Sequence, residues 1–403
     1  MLAWLSNKVR LIFLAKTLRV FGFGFLSIIL PLYMLQIGYP TIIIGAVLSA
    51  AVFGSVIFNL LVSRFSDAYG RKKSLIILSI LMAASALLMI ANINSIFFII
   101  AAFFGSVSVT GTETGPFLTI EQPSITAQVN EQNRTKAYSV YNFLGYSAAA
   151  LGALFSSTSS FFNNILFGYR ALLYVYFGIA IALVFIYFAL GNALEIPKKE
   201  SKFKISKKTK KIIVRLAALF SIDAFGGGFI LQSILVLWFN SRYGISLDNL
   251  SLLLLFTNVI TAISVLLAPL VAKRIGLLKT MVIPHIISNL ALISIPLVPS
   301  LFYAITFLFI RQTLSQMDVP ARQSYMMAIV KSRERTATVG ITSIPRSLSQ
   351  GISPTISSYF IGSLQYSLPF FLSGSLKLFY DISVFLSFRK IKPPEEKTGK
   401  TKI

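Results

Sequence analysis

Residues 41–92 read TIIIGAVLSAAVFGSVIFNLLV, then SRFSDAYGRKKSL over 63–75, then IILSILMAASALLMIAN. Two apolar runs, each near the ~20 residues needed to cross a bilayer's hydrocarbon core, flank a short polar stretch. That stretch holds Arg64, Asp67, Arg71, Lys72 and Lys73. Apolar run, charged turn, apolar run is the grammar of a chain that crosses a membrane and comes back. The rest of the sequence repeats it. Of 403 residues, 55% are hydrophobic and only 12% charged, with 35 Phe and a mean hydropathy of +0.77. A soluble domain carries about 25% charged residues, so this surface cannot all face water. Disordered chains are poor in apolar residues, and that class is excluded too.

Composition also limits the chemistry. With no cysteine, a disulfide scaffold, a thiolate metal site and a cysteine nucleophile are ruled out. His285 is the one histidine, which leaves little for a zinc centre or a Ser-His-Asp triad. No phosphate-cradling nucleotide loop is present, so ATP drive is not expected. No cofactor, no metal and no enzymatic activity are expected. The N-terminal apolar run is too long for a cleavable leader, and no small-residue cleavage site follows it.

Twelve spans are expected, at about 12–37, 41–64, 74–92, 95–120, 138–160, 171–192, 212–239, 248–272, 280–298, 300–318, 337–362 and 367–388. The connections are short apart from a basic linker, ALEIPKKESKFKISKKTKK, at 193–211. The domains expected are a six-helix bundle over 1–192, the linker over 193–211, a second bundle over 212–388 and a solvated tail over 389–403. The formal net charge is +24, and its distribution is informative. If both termini lie inside, 31 of the 37 Lys and Arg fall in inner segments, with only Arg170 and Arg242 outside. Cytoplasmic loops attract Lys and Arg. The basic excess therefore reads as a topology signal that also meets anionic lipid heads, and nucleic acid is not an expected partner.

The two halves echo one another. RVFGFGF at 19–25 aligns with DAFGGGF at 223–229, an offset of 204. Tyr39 then meets Tyr243, Glu121-Gln-Pro123 matches Asp318-Val-Pro320, and Arg134-Thr135 matches Arg335-Thr336. Each match is short. Their common order supports two parallel six-helix repeats, an architecture built for transport.

The 63–75 stretch resembles the signature loop of the major facilitator superfamily, G-x-L-x-D-R-x-G-R-K-x-x-L. Asp67, Gly70, Arg71, Lys72 and Leu75 match, while Ser63 and Ala68 depart from it. The second-half copy, Lys273-Arg274-Ile-Gly276, keeps the glycine without the Asp. The resemblance implies an all-α polytopic membrane protein of twelve transmembrane helices in two pseudo-symmetric repeats, a secondary transporter able to work as a monomer. Gly70 permits a tight turn. Asp67 suits the N–H groups opening a neighbouring helix, which the resemblance suggests is helix 11. Arg71 with Glu121 would make a cytoplasmic latch, with Asp318 and Arg274 or Arg322 as its second-half counterpart. Arg346 lies one-third into helix 11, where it lines the inner gate or reaches lipid heads. The plainer alternative is that these are interfacial charges that fix topology.

Charges inside a membrane are costly and point to function. Arg19, Glu113, Asp223 and Arg311 fall in helices 1, 4, 7 and 10, which line the central cavity in the family resembled. Arg19 and Asp223 lie about 10–17 Å in from the inner ends of their helices. Their equivalent repeat positions predict that they face each other. Together the four form a candidate cavity for substrate and proton, with Glu113 as the coupling acid. The alternative is a buried salt bridge that holds register. Lys377 and Asp381 are expected to pair at i, i+4 spacing in a structural role, and His285 to be a packed residue on helix 9. Helix 5 keeps only the glycine spacing, Gly145 to Gly152, of the drug-exporter antiporter signature.

The expected function is proton-coupled export or exchange of a small organic solute at the plasma membrane. A facilitator or importer of a sugar or organic anion is the alternative. A transporter-like sensor that moves nothing is the reading from a different class.

Overall fold

The computed structural model describes residues 6–91, 94–105, 107–112, 115–129, 134–195, 206–330 and 334–391. Among them the chain forms fifteen α-helices and no strand. The first seven are α1 (Asn7–Gln36), α2 (Thr41–Tyr69), α3 (Arg71–Ala91), α4 (Ser95–Phe104), α5 (Pro116–Gln128), α6 (Arg134–Phe155) and α7 (Ile165–Ala189). After the linker come α8 (Lys207–Gly228), α9 (Gln232–Tyr243), α10 (Leu247–Ile275), α11 (Leu277–Ser294), α12 (Leu301–Ser315), α13 (Asp318–Ile329), α14 (Arg335–Gly362) and α15 (Leu368–Phe388). Among the described residues, eight helical stretches are long and apolar enough to cross a membrane, α8 and α9 counting as one. The α4–α5 pair, α6, the α12–α13 pair and α14 complete twelve spans. The chain is an all-α, multi-pass membrane protein.

Three spans are built from two helices each, with gaps between Phe104 and Pro116, Gly228 and Gln232, and Ser315 and Asp318; the apolar runs predict the first two as single helices, and the tenth expected span, 300–318, stops at the third gap. The first break contains Gly105, Gly111 and Gly115, and Pro116 opens α5. Proline suits a first helical position because its missing N–H would be unpaired there anyway. A broken helix in a membrane must satisfy the backbone groups it frees. Here the Ser233 N–H at the start of α9 donates to the Val109 carbonyl in the first break, at 3.1 Å. Ser108 Oγ donates to the Thr112 carbonyl at 2.6 Å. Hydropathy sums over a window and is blind to such gaps. Similarly, the sixth expected span begins earlier, at Ile165.

The chain forms two compact units. One comprises Met1–Glu200, Leu231–Asn258 and Pro354–Gly362, and the other Ser201–Ile230, Val259–Ser353 and Ser363–Ile403. Within the first, hydroxyl and amide bonds tie the later segments to the first six spans. Ser233 Oγ donates to the Ser27 carbonyl at 2.7 Å and Gln232 Nε2 to Ser27 Oγ at 2.8 Å. Ser156 Oγ meets Ser251 Oγ at 2.6 Å, Ser160 Oγ donates to Asp248 at 2.8 Å, and Ser49 Oγ meets Thr355 Oγ1 at 2.8 Å. In the second unit an apolar core gathers Leu216, Phe220, Met281, Tyr325, Tyr380 and Phe388.

The repeat seen in the sequence has a packing counterpart. A Cβ on Gly24 of α1 would lie 2.5 Å from the Ala149 carbonyl oxygen of α6. A Cβ on Gly228 of α8, its equivalent at the 204 offset, would lie 2.5 Å from the Gln350 carbonyl oxygen of α14. In both units only glycine lets these helix backbones meet, the close approach that small residues permit in membranes. The turns after α2 and α10 are also equivalent. Gly70 has φ 99° and Gly276 φ 87°, so each copy turns on one glycine.

Candidate functional site

Each unit buries its own set of ionisable side chains. In the first, Arg19 of α1 and Glu121 of α5 are both 0% exposed. Arg19 Nη2 lies 2.8 Å from Glu121 Oε2 and Nη1 lies 3.0 Å from Oε1, a two-pronged pair. Tyr187 of α7 donates to Oε1 at 2.5 Å and Tyr141 of α6 to Oε2 at 2.6 Å. The carboxylate therefore accepts four hydrogen bonds. The Phe117 ring lies under the guanidinium, 4.2 Å from its carbon, and Lys16 Nζ lies 3.6 Å from the centre of the Tyr141 ring. Paired and fully hydrogen-bonded, a buried charge pair becomes tolerable.

In the second unit Asp223 of α8 is the centre. Lys377 Nζ of α15 meets its Oδ1 at 2.8 Å, and Arg322 Nη1 of α13 meets its Oδ2 at 3.0 Å. Arg322 Nη1 also lies 3.3 Å from Asp318 Oδ2, one turn earlier on α13. His285 Nε2 of α11 is 3.9 Å from Asp223 Oδ1. Its Nδ1 lies 2.7 Å from Asp381 Oδ1, and Asn289 Nδ2 donates to Asp381 Oδ2 at 2.9 Å. Asp381 is 0% exposed and His285 3%.

Several expected pairings differ. Arg19 and Asp223 occupy equivalent repeat positions, yet each finds its partner within its own unit, on the second half of a broken span. Glu121 is bound by Arg19 instead of the anticipated Arg71. Lys377 and Asp381 do not form the expected helix-surface pair but reach to Asp223 and His285, so His285 belongs to the charge cluster. Of the two counterparts weighed for Asp318, Arg322 is the one in contact. Arg311 of α12 bonds Gln312 Oε1 at 2.7 Å. Among the described residues its Nε, like the Nε of Arg346 on α14, has no hydrogen-bond partner. Glu113 lies outside the described residues.

At the signature loop, Asp67 falls in the last turn of α2 and Gly70 makes the turn. The acid that takes the N–H groups opening α3 is Glu195, with Arg71 N at 3.1 Å and Lys72 N at 3.2 Å. Glu334 plays a like part at the other end of the linker, accepting the Ser206 N–H at 2.7 Å and the Thr209 hydroxyl. Sequence reading passed over both acids. Their signal was position alone: lone carboxylates next to basic loops. Among the described residues no group of three or more His, Asp or Glu could hold a metal.

The pattern of the family described as Major Facilitator Superfamily matches residues 12–314 and 219–402. Uncharacterized membrane protein YJR124C of Saccharomyces cerevisiae is 23% identical over 423 residues, spanning 95% of this chain and 94% of that protein. Among solved structures, a bacterial homologue of the human lysosomal transporter Spinster matches with a TM-score of 0.73 at 14% identity, over 96% of this chain and 97% of that one. A D-xylose–proton symporter gives 0.72 at 15% identity, over 98% and 100%. The nucleoside transporter NupG gives 0.72 at 13%, over 95% and 100%. At these identities the structures speak for the fold. With the family pattern running almost end to end over twelve spans, this chain is a membrane transporter of the Major Facilitator Superfamily.

Proposed function

We propose that the chain moves a small organic solute across the plasma membrane by alternating access, through proton-coupled export or exchange. The observation that carries this is the second unit's cluster, where ionised, titratable and polar side chains from four helices meet out of water. Such groups are expensive to keep in a membrane and mark proton or substrate routes. The matched structures include transporters of nucleosides, of D-xylose with a proton and, in a human protein, of organic anions. These three carry small organic solutes, which supports the solute class, while another matched structure is a bacterial metal transporter. Arg19, Glu113, Asp223 and Arg311 are the proposed cavity residues, and Glu113 is the proposed coupling acid. Asp67, Gly70, Arg71, Glu121, Asp318, Arg322 and Arg346 are the proposed cytoplasmic gate. The termini and the 193–211 linker are assigned to the cytoplasm. Lys210, Lys211 and Arg215, which line a groove on α8, are assigned to anionic lipid heads. The proposed working unit is the monomer, rocking residues 1–192 against 212–388.

One observation favours the second reading, a facilitator or importer of a sugar or organic anion. Glu121 already accepts four hydrogen bonds; on this second reading Arg19 and Glu121 brace the first unit and neither carries a proton. The test is purified protein in liposomes with an internal pH dye. Pools of sugars, organic anions, amino acids and amphiphilic cations are pulsed onto wild type and Glu113→Gln. A pool that moves protons in wild type alone supports coupling through Glu113. Radiolabelled flux without proton movement favours the facilitator, and absence of flux from every pool overturns transport.

A further inference from the structure

The cluster around Asp223 has a feature that the transport reading does not use. Two nitrogens address one carboxylate oxygen. Asp223 Oδ1 is held by Lys377 Nζ at 2.8 Å, while His285 Nε2 waits 3.9 Å away. The far side of the imidazole is fixed. Nδ1 faces Asp381 Oδ1 at 2.7 Å, and Asn289 holds the other oxygen of that carboxylate. An ionised carboxylate only accepts. Asn289 Nδ2 also lies 3.3 Å from Nδ1; in the tautomer that directs Nδ1–H to Asp381, Nε2 is a lone pair beside Asp223.

We propose that His285 is a proton-binding site, and that a proton taken up at Nε2 turns it into a donor that displaces Lys377 from Asp223 Oδ1. The proton comes from water and returns to water. No bond other than N–H is made or broken.

The surroundings define the charge change. Facing the imidazole are Asp223 of α8 and Tyr380 and Asp381 of α15; Asp223 in turn holds Lys377 of α15 and Arg322 of α13, and Arg322 holds Asp318. Arg346 of α14 acts electrostatically on Asp223, Asp318 and Arg322. From α12, Arg311 offers its backbone carbonyl to Ser288 Oγ and turns its guanidinium to Gln312. Three carboxylates then balance Arg322, Arg346 and Lys377 while the imidazole is neutral. A bound proton leaves one positive charge in excess. Buried excess charge is costly, and Lys377 is the cation able to relieve it. It is 9% exposed, against 7% for Arg322, and a lysine stem is flexible enough to carry its head toward water.

Release of Lys377 acts on a weak place in the fold. Its stem crosses Gly226 and Gly227 of α8. A Cβ on Gly226 would lie 3.2 Å from Lys377 Cγ, and one on Gly227 3.6 Å from its Nζ. Helix α8 ends at Gly228, immediately before the 229–231 break. Protonation of His285 therefore unpins α15 from α8 beside the break that leads into α9. This extends the proton-coupled reading above and names its switch.

With one histidine in the chain, histidine-selective 15N labelling of the full protein in nanodiscs reports His285 alone. The expected result is a single imidazole that is protonated at Nδ1 when neutral and takes up a second proton within the range scanned. Lys377→Met removes a like charge and moves the midpoint up by about one unit, a tenfold gain in proton affinity. Asp381→Asn moves it down, and Lys377→Arg leaves it near wild type. With two tryptophans in the chain, Trp4→Phe leaves Trp238 of α9 as the fluorescent reporter beyond the break. Its emission should change with pH at the same midpoint and lose that change in both His285→Gln and His285→Asn. An imidazole that keeps one state across the range overturns the proposal. So does a midpoint indifferent to Lys377→Met, or a Trp238 curve unchanged without His285. The NMR midpoint decides this point whether or not any solute is found to move. A failure of flux thus counts against transport alone.

Discussion

Arg19 and Asp223 share a repeat position and carry opposite charges. Each is neutralised from the second half of its own unit's broken span, by Glu121 in one case and Arg322 in the other. The charge at this repeat position is inverted between the units, and in each unit a partner comes from the helix that follows the break. This makes the pairs structural first, because a lone charge in either place would stand unpaired in an apolar bundle. Arg19→Met is therefore expected to destabilise the protein by about 3–5 kcal/mol, since it strands Glu121. The double variant Arg19→Met with Glu121→Met should return most of that loss, because a buried pair replaced by apolar side chains is often neutral or better. Thermal unfolding in detergent reads both. A double variant as unstable as the single one would show that the pair does more than cancel charge. The proton uptake proposed for His285 belongs to the other unit, where Asp223 is contested and not saturated.

At the scale of elements, the helix contacts at Gly24 and Gly228 set how α1 meets α6 and how α8 meets α14. Gly24→Ala and Gly228→Ala each place a methyl group against a backbone oxygen. Overpacking of this kind costs about 1–3 kcal/mol, and both variants should melt earlier than wild type. Gly178→Ala, with nothing within 4 Å of the new Cβ, is the control and should melt no earlier. Elements were where the sequence was most and least readable. All twelve spans could be placed from their apolar runs, and the repeat from four short matches. The breaks could not, because hydropathy averages across Gly105–Gly115 and Phe229–Leu231. The partners of Arg19 and Asp223 were equally hidden, lying 102 and 99 residues along the chain. His285, Lys377 and Asp381 looked peripheral one helix at a time. They become a cluster once α8, α11 and α15 pack together.

For the whole molecule, topology is open to direct measurement because the chain has no cysteine of its own. A single thiol introduced by Lys199→Cys in the linker should react with an impermeant maleimide only after the cells are opened. One introduced by Asn163→Cys, in the loop before α7, should react in intact cells. The reverse pattern would overturn the inside assignment of the termini. The bonds that tie Leu231–Asn258 and Pro354–Gly362 into the first unit bear on a different question, how readily this arrangement can be left. They join hydroxyls, amides and a carbonyl, with Asp248 the only ionised member, and each such neutral bond is worth about 0.5–1.5 kcal/mol net. Together these hydrogen bonds contribute only a few kcal/mol net. A ligand that prefers one state by about 1.4 kcal/mol shifts the balance tenfold. Ion pairs in the same places would have locked the door. On the proposed alternating-access cycle, serines and threonines make a latch light enough for one bound molecule to lift.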